Sequence, residues 1–319
     1  MPQETIRYER ELLLSGEYDI FSSVLKAAGD TSEGDVIAEL GGLLKNPKAT
    51  AYVQAVGKKL VSGSNRTDVG YAFDVIKNDE INAFALPNGA VYVTKGLLRV
   101  LRNEAQLANV IGHEVGHVDR DHSMKQFGVD LLGQGAGILA QVFAGGDKAQ
   151  KDAAKEVANN IISNGYSQEL EMQADEIGQK FAYMAGWDPN GMIDIMTLFL
   201  TFEKSPNPPQ GVEAYTRSHP HAEVRLEQAK TRMAAYPAKK ETGEAQYKAF
   251  LKDTFGLSDS EMALTPKQAI TTITPKVIAA AGTSAKAASG GVSEYLIPAL
   301  AIGGVAIAVL VAVYLYTRE

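Results

Sequence analysis

The string His113-Glu114-Val115-Gly116-His117 constrains this chain more than any other feature. It lies in a run from Glu104 to Arg120 whose apolar residues Leu107, Val110, Ile111, Val115 and Val118 recur at helical spacing. Two histidines four apart then share one helix face, one turn apart, and both imidazoles can reach a single metal ion. Glu114 flanks the pair as a base that can take a proton from water acidified by the metal and return it to a leaving amine. The chain has no cysteine, which excludes a disulfide framework, a thiol nucleophile and thiolate ligands. Any metal must therefore be held by His, Asp and Glu.

A catalytic zinc takes three protein ligands and keeps one position open, and a neutral histidine pair leaves metal charge that favours a carboxylate as the third. The expected cofactor is one Zn(II) per chain. Downstream, the helical run Gln168 to Ala185 offers Glu169, Glu171, Asp175 and Glu176. Glu171 and Asp175 share a face, so one can bind the metal while the other orients a ligand imidazole. Spacing alone does not choose between Glu169 and Glu171, and an ordinary solvated acidic face would look the same.

Around these runs the pattern alternates. Helical spacing covers Ile6 to Ala28 and Pro47 to Val61, and period-two alternation follows from Tyr71. The short runs Ile81 to Leu86 and Ala90 to Thr94 are split by Pro87-Asn88-Gly89, which predicts a small antiparallel sheet with a tight turn. Phe127 to Gly146, rich in Gly and Ala, reads as a core helix or a flap, and helices resume over Ala153 to Ile162, Pro189 to Phe202 and Ala222 to Ala235. The strand Ile81 to Ala85, with Asn82, Ala83 and Phe84, is the expected substrate-binding edge, because endopeptidases bind peptides as an added strand through main-chain hydrogen bonds.

Four further stretches carry a resemblance. Ser167-Gln168-Glu169-Leu170-Glu171-Met172-Gln173-Ala174-Asp175-Glu176-Ile177-Gly178 is similar to the second signature of the HtpX, BepA and CAAX prenyl endopeptidase family of gluzincin metallopeptidases. Asn82-Ala83-Phe84-Ala85-Leu86-Pro87-Asn88-Gly89, Ala185-Gly186-Trp187-Asp188-Pro189 and Ser218-His219-Pro220 with Arg225 resemble other motifs of that family, in order, from about residue 70 to 230. The core is most like the BepA and OMA-type members. The resemblance implies a zincin-like α+β fold and a zinc-dependent endopeptidase, with His113, His117 and Glu171 as ligands and Glu114 as base. It also implies that Asp175 orients a ligand imidazole and that His219 lies near the zinc, as a gate or as a helper of the transition state. The family's usual Arg-His pair after the zinc helix is Asp121-His122 here, and its usual Arg after Ser167 is Gln168.

The expected organisation is a catalytic domain over 1–236, a polar and Ala/Ser/Thr-rich tether over 237–294 and a transmembrane anchor over 295–317. The anchor rests on about twenty uncharged, mostly aliphatic residues from Leu296 to Tyr316. The N-terminal stretch lacks the apolar run of a signal peptide, which favours a single-pass membrane protein with a cytoplasmic catalytic domain, a periplasmic one being the alternative. Expected partners are polypeptides, among them misfolded membrane or envelope proteins, and the lipid bilayer. A net charge of -7 without a Lys/Arg block excludes a nucleic-acid surface. A zinc-binding chaperone or assembly factor with little turnover is the alternative function, against which the base Glu114 argues.

Overall fold

The computed structural model describes residues 30, 33–123, 125–126, 165–205, 212–238, 240–264 and 268. Asn46 and Pro47 start α1 (Pro47–Leu60): the Asn46 side chain accepts from the backbone N–H groups of Lys48 and Ala49, and proline in the first turn forfeits no helical bond. Val53, Val56 and Leu60 turn the apolar face of α1 onto the sheet formed by β1 (Ala72–Ile76), β2 (Ala83–Ala85) and β3 (Ala90–Thr94).

The sheet is mixed, not antiparallel as the alternation predicts. Its order is β1-β3-β2, with β2 and β3 antiparallel across the Pro87-Asn88-Gly89 turn and β1 parallel to β3. Residues 77–82 carry the chain past the place of β3, and β3, buried at all five positions, fills the centre. Gly89, at φ +94, supplies the left-handed turn residue. β2 is an edge strand. In an antiparallel ladder, alternate residues face away from the partner, so Ala83 and Ala85 direct their N–H and C=O groups to the free side.

After the short α2 (Lys95–Val100), Asn103 caps α3 (Glu104–Asp119) by accepting from Gln106 N–H. Every residue from Ala105 to Asp119 is buried, which marks α3 as a central helix enclosed on all sides. Its main partner is α4 (Gln168–Met184), capped by Ser167. A Cβ on Gly178 would lie 2.5 Å from His113 N, and one on Gly112 would lie 2.9 Å from Gly178 O. Glycine at both positions lets the two backbones meet.

Helices α5 (Asn190–Glu203), α6 (Glu213–Ser218) and α7 (Ala222–Arg232) close the far side of α3 and α4. Within 237–294, where composition predicts a tether, the chain forms α8 (Glu244–Phe255) and α9 (Asp259–Met262), packed on the core. Tyr247, Phe250 and Leu251 recur at helical spacing within α8, Phe250 stacks on Tyr52 at 4.0 Å, and Tyr247 Oη donates to Leu98 O at 2.7 Å. Polar residues on its outer face mask this stripe in an average over the segment. No helix among the described residues is long and apolar enough to cross a membrane. The runs Ile6 to Ala28, Phe127 to Gly146 and Ala153 to Ile162, and the span 295–317, lie outside the described residues.

Gly178→Ala is expected to destabilise the chain by about 1–3 kcal/mol through forced separation of α3 and α4. Gly34→Ala, on an open surface with no atom within 4 Å of the added Cβ, serves as the control. Urea unfolding of both variants checks this; equal midpoints would show that the crossing tolerates a methyl group.

Candidate metal centre

The glycine crossing places the exposed first turn of α4 to one side and its buried face against the two histidines. Glu169 is exposed and Glu171 fully buried, so burial makes the distinction that charge spacing leaves open. His117 Nε2 lies 3.0 Å from His113 Nε2 and 3.3 Å from Glu171 Oε1, and His113 Nε2 lies 3.5 Å from Glu171 Oε2. His219, between α6 and α7, brings Nδ1 to 3.2 Å from Glu171 Oε2 and 3.3 Å from His113 Nε2. One ligand atom from each of His113, His117, Glu171 and His219 lies within 4.8 Å of the others. This is the side-chain set that a metal ion needs.

The buried surroundings fix these groups. Arg225 on α7 donates Nε and Nη2 to the two oxygens of Asp175, both at 2.8 Å, and its Nη1 lies 2.7 Å from Glu171 Oε2. The same Nη1 donates to His219 O at 3.1 Å, which ties the His219 loop to α4. Asp175 Oδ1 accepts from His113 Nδ1 at 2.8 Å, leaving His113 Nε2 with a lone pair directed at the cluster. His219 Nε2 faces Ala83 O at 3.4 Å; a carbonyl only accepts, so the Nε2 proton points to β2 and Nδ1 to the cluster.

Burial alone raises a carboxyl, but the charges of Arg225, His219 and His113, with the hydrogen bond from His117, hold Glu171 well below the usual range. For Asp175, burial is likewise outweighed by Arg225 and His113, which lower it. Burial brings His117 down to about 4 against the pull of Glu171. His219 moves the other way, since Glu171 and Glu114 outweigh its burial. Both an ionised Glu171 and a neutral His117 are the forms that bind metal.

Two observations test whether a divalent cation fits. Glu114 Oε1 is buried and, among the described residues, has no hydrogen-bond partner; its nearest basic neighbour is His219 Nε2 at 3.6 Å. Formally, Glu114, Glu171 and Asp175 carry three buried carboxylates against the one guanidinium of Arg225. A divalent cation offsets that surplus, and the N/O donor set suits zinc among other metals.

Of the residues expected to bind substrate, only Ala83 reaches the cluster, through its carbonyl. Asn82 turns its Oδ1 onto Ala83 N at 3.0 Å, and Phe84 packs on Tyr92 within a separate apolar cluster. Sequence reasoning missed Tyr166, whose ring stacks on His117 at 4.0 Å, and His122, whose Nδ1 lies 3.0 Å from His117 Nδ1. His122 is fully buried, and burial and the neighbouring His117 and Lys125 bring it to about 2. Its position five residues after His117, beside the helix end, was the available signal. His221, two residues after His219, is exposed.

The Peptidase family M48 model matches residues 47–233. The beta-barrel assembly-enhancing protease of Escherichia coli (strain K12) is 32% identical over 224 residues, which cover 66% of this chain and 45% of the relative. Mitochondrial metalloendopeptidase OMA1 of Schizosaccharomyces pombe is 25% identical over 205 residues, 63% of this chain and 58% of its own. Metalloprotease LoiP of Escherichia coli (strain K12) is 25% identical over 221 residues, 68% of this chain and 84% of its own. The chain thus spans less than half the length of the first of these relatives.

The stability of the metal-free chain is expected to fall as pH drops from about 6.5 to about 4. His117 has its folded value below its unfolded one, so the unfolded chain binds the extra proton in that window. The loss from His117 alone is about 3 kcal/mol. His219, raised on folding, contributes in full below about 6.5 and does not change sign there. Urea midpoints that stay constant between neutral pH and about 4.5 would refute a buried neutral His117.

Proposed function

The chain belongs to peptidase family M48 and is a metallopeptidase, and from that premise we propose that it is a zinc-dependent endopeptidase acting at a membrane. The observation that carries the reading is the convergence of His113, His117, Glu171 and His219 beside the unbonded Glu114 Oε1. His113, His117 and Glu171 would hold the metal, and zinc, when bound, supplies a Lewis acid that acidifies water and polarises a carbonyl. Glu114 accepts a proton on Oε1 and delivers it to the leaving amine. Asp175 and Arg225 keep His113 and Glu171 in place. His219 keeps Nδ1 toward the cluster, and in its protonated form that nitrogen is a second donor, able to stabilise developing oxyanion charge.

The outer edge of β2 suits an incoming peptide strand at Ala85, whose main-chain groups point away from β3, whereas the N–H and C=O of Ala83 already face Asn82 Oδ1 and His219 Nε2. Proline at Ala85 would remove one outward N–H without disturbing the ladder to β3, as edge positions tolerate it. Ala85→Pro is therefore expected to lower peptide cleavage about tenfold or more while zinc content stays at that of the parent. Unchanged cleavage of an internally quenched peptide would move substrate binding elsewhere.

Membrane anchoring by residues 295–317, with the remaining stretch from about 265 as a link and the catalytic domain on the cytoplasmic side, completes the proposal. It is supported by the uncharged run from Leu296 to Tyr316. Similarity to a beta-barrel assembly-enhancing protease supports misfolded membrane or envelope proteins as substrates. Fractionation of cells, followed by external protease digestion of the vesicles, tests both anchoring and side.

Glu114→Gln is the decisive variant. Hydrolysis should fall by a factor of about 100 to 10,000 with zinc retained, as expected when a general base is removed. Retained hydrolysis would reject Glu114 as the base. A parent that binds zinc and cleaves nothing would instead favour a zinc-binding assembly factor.

A further inference from the structure

The two histidines of the HEVGH string have different partners behind them. His113 is backed by the carboxylate of Asp175, whereas His117 is backed by another imidazole, that of His122, which is 0% exposed. Two neutral imidazoles at 3.0 Å can bond only if one donates and the other accepts. The surroundings decide which does. His117 Nε2 faces His113 Nε2 and Glu171 Oε1, so a metal held there needs the lone pair on Nε2 and the proton on Nδ1. His122 Nδ1 must then accept, and its own proton sits on Nε2.

That second proton also has a partner. His122 Nε2 lies 3.3 Å from Gln173 Oε1, while the Gln173 amide nitrogen faces Glu169 Oε1 at 3.5 Å, one turn earlier on α4. A carboxylate accepts and does not donate, so Glu169 turns the Gln173 amide to present its oxygen to His122. A single direction of donation runs from His117 through His122 and Gln173 to Glu169. Reversing any one bond would oppose two proton donors or two lone pairs.

We propose that His122 is a positioning residue for the metal site, holding His117 in the tautomer whose Nε2 lone pair faces the metal, with Gln173 and Glu169 fixing the tautomer of His122. The inference rests on the reading of His113, His117 and Glu171 as metal ligands. It assigns a role to Glu169, the acidic residue that spacing left as an alternative to Glu171. It also gives His122 a function in a position where no charge is needed, since a neutral acceptor suffices to order His117.

Zinc affinity of the full chain, measured by competition with a chromophoric chelator at neutral pH, tests this on the parent, His122→Ala, His122→Asn and Gln173→Leu. Unfolding midpoints of the zinc-free forms are measured beside it. Loss of a partner behind a ligand histidine weakens metal binding about 10- to 100-fold, and that weakening is expected for His122→Ala and Gln173→Leu. His122→Asn places an amide oxygen where Nδ1 stood and is expected to bind zinc within a few-fold of the parent. Gln173→Leu keeps the volume of His122, so its loss would report proton ordering and not a cavity. Parent-like affinity in Gln173→Leu, or affinity in His122→Asn as weak as in His122→Ala, would overturn the proposal. A parent that binds no zinc would overturn the metal-site reading itself, and this inference with it.

Discussion

The backbone contact between α3 and α4 is the constraint on which the rest of the site depends. Gly112 and Gly178 meet with no side chain between them, and Gly116 lies over Ala174. Only at that separation does a carboxylate as short as Glu171 reach both imidazoles of His113 and His117. Helices packed at ordinary distances of about 8–10 Å on larger side chains would leave these groups facing a gap. The same contact explains why α3 is buried on every face: its metal-facing side is covered by α4 and its remaining sides by α1, α5, α8 and β2.

Bringing carboxylates together in a buried place has a cost that Arg225 offsets. Its guanidinium is 0% exposed and engages Asp175 through two parallel bonds while reaching Glu171 and the carbonyl of His219. A lysine would supply the charge but not the fork, and the three attachments would not be held at once. Arg225 is therefore both a counter-charge and the link that sets the His219 loop against α4. Gly165 completes that link from the other side, since any Cβ there would lie 1.9 Å from Ser218 O.

Much of this was legible in the sequence, for physical reasons that differ from residue to residue. The spacing of His113 and His117 needs only helical periodicity, and Asn103 marks where that helix begins. Spacing does not decide between Glu171 and Glu169, because residues two apart on a helix point to nearly opposite faces, and which face meets the histidines is a tertiary fact. The sheet shows the same division: the sequence pattern locates all three strands, but their order depends on which strands pair, and that is a long-range fact. In α8 the apolar stripe Tyr247, Phe250 and Leu251 was present and was diluted by its polar neighbours. His122 was passed over because its importance lies in a partner across the fold, Gln173, and in a helix end where periodicity stops carrying information.

The position of His219 joins the strand edge to the metal cluster through a single ring. With Nε2 on the Ala83 carbonyl and Nδ1 on Glu171, the separation between β2 and the cluster is set by the width of an imidazole. Glu114 lies beside the same ring, with its Oε1 3.6 Å from His219 Nε2. One ring thus spaces the strand, the ligand set and the carboxylate, with no movement of α3 required. That economy depends on rigid elements: Ala83 is fixed by its ladder to β3, Glu114 by the centre of a fully buried helix, and His219 by Arg225. The residues that would do chemistry thus come from a strand, a helix and a loop, but each is held by main-chain or buried ionic contacts, which is the preorganisation that a hydrolytic site requires.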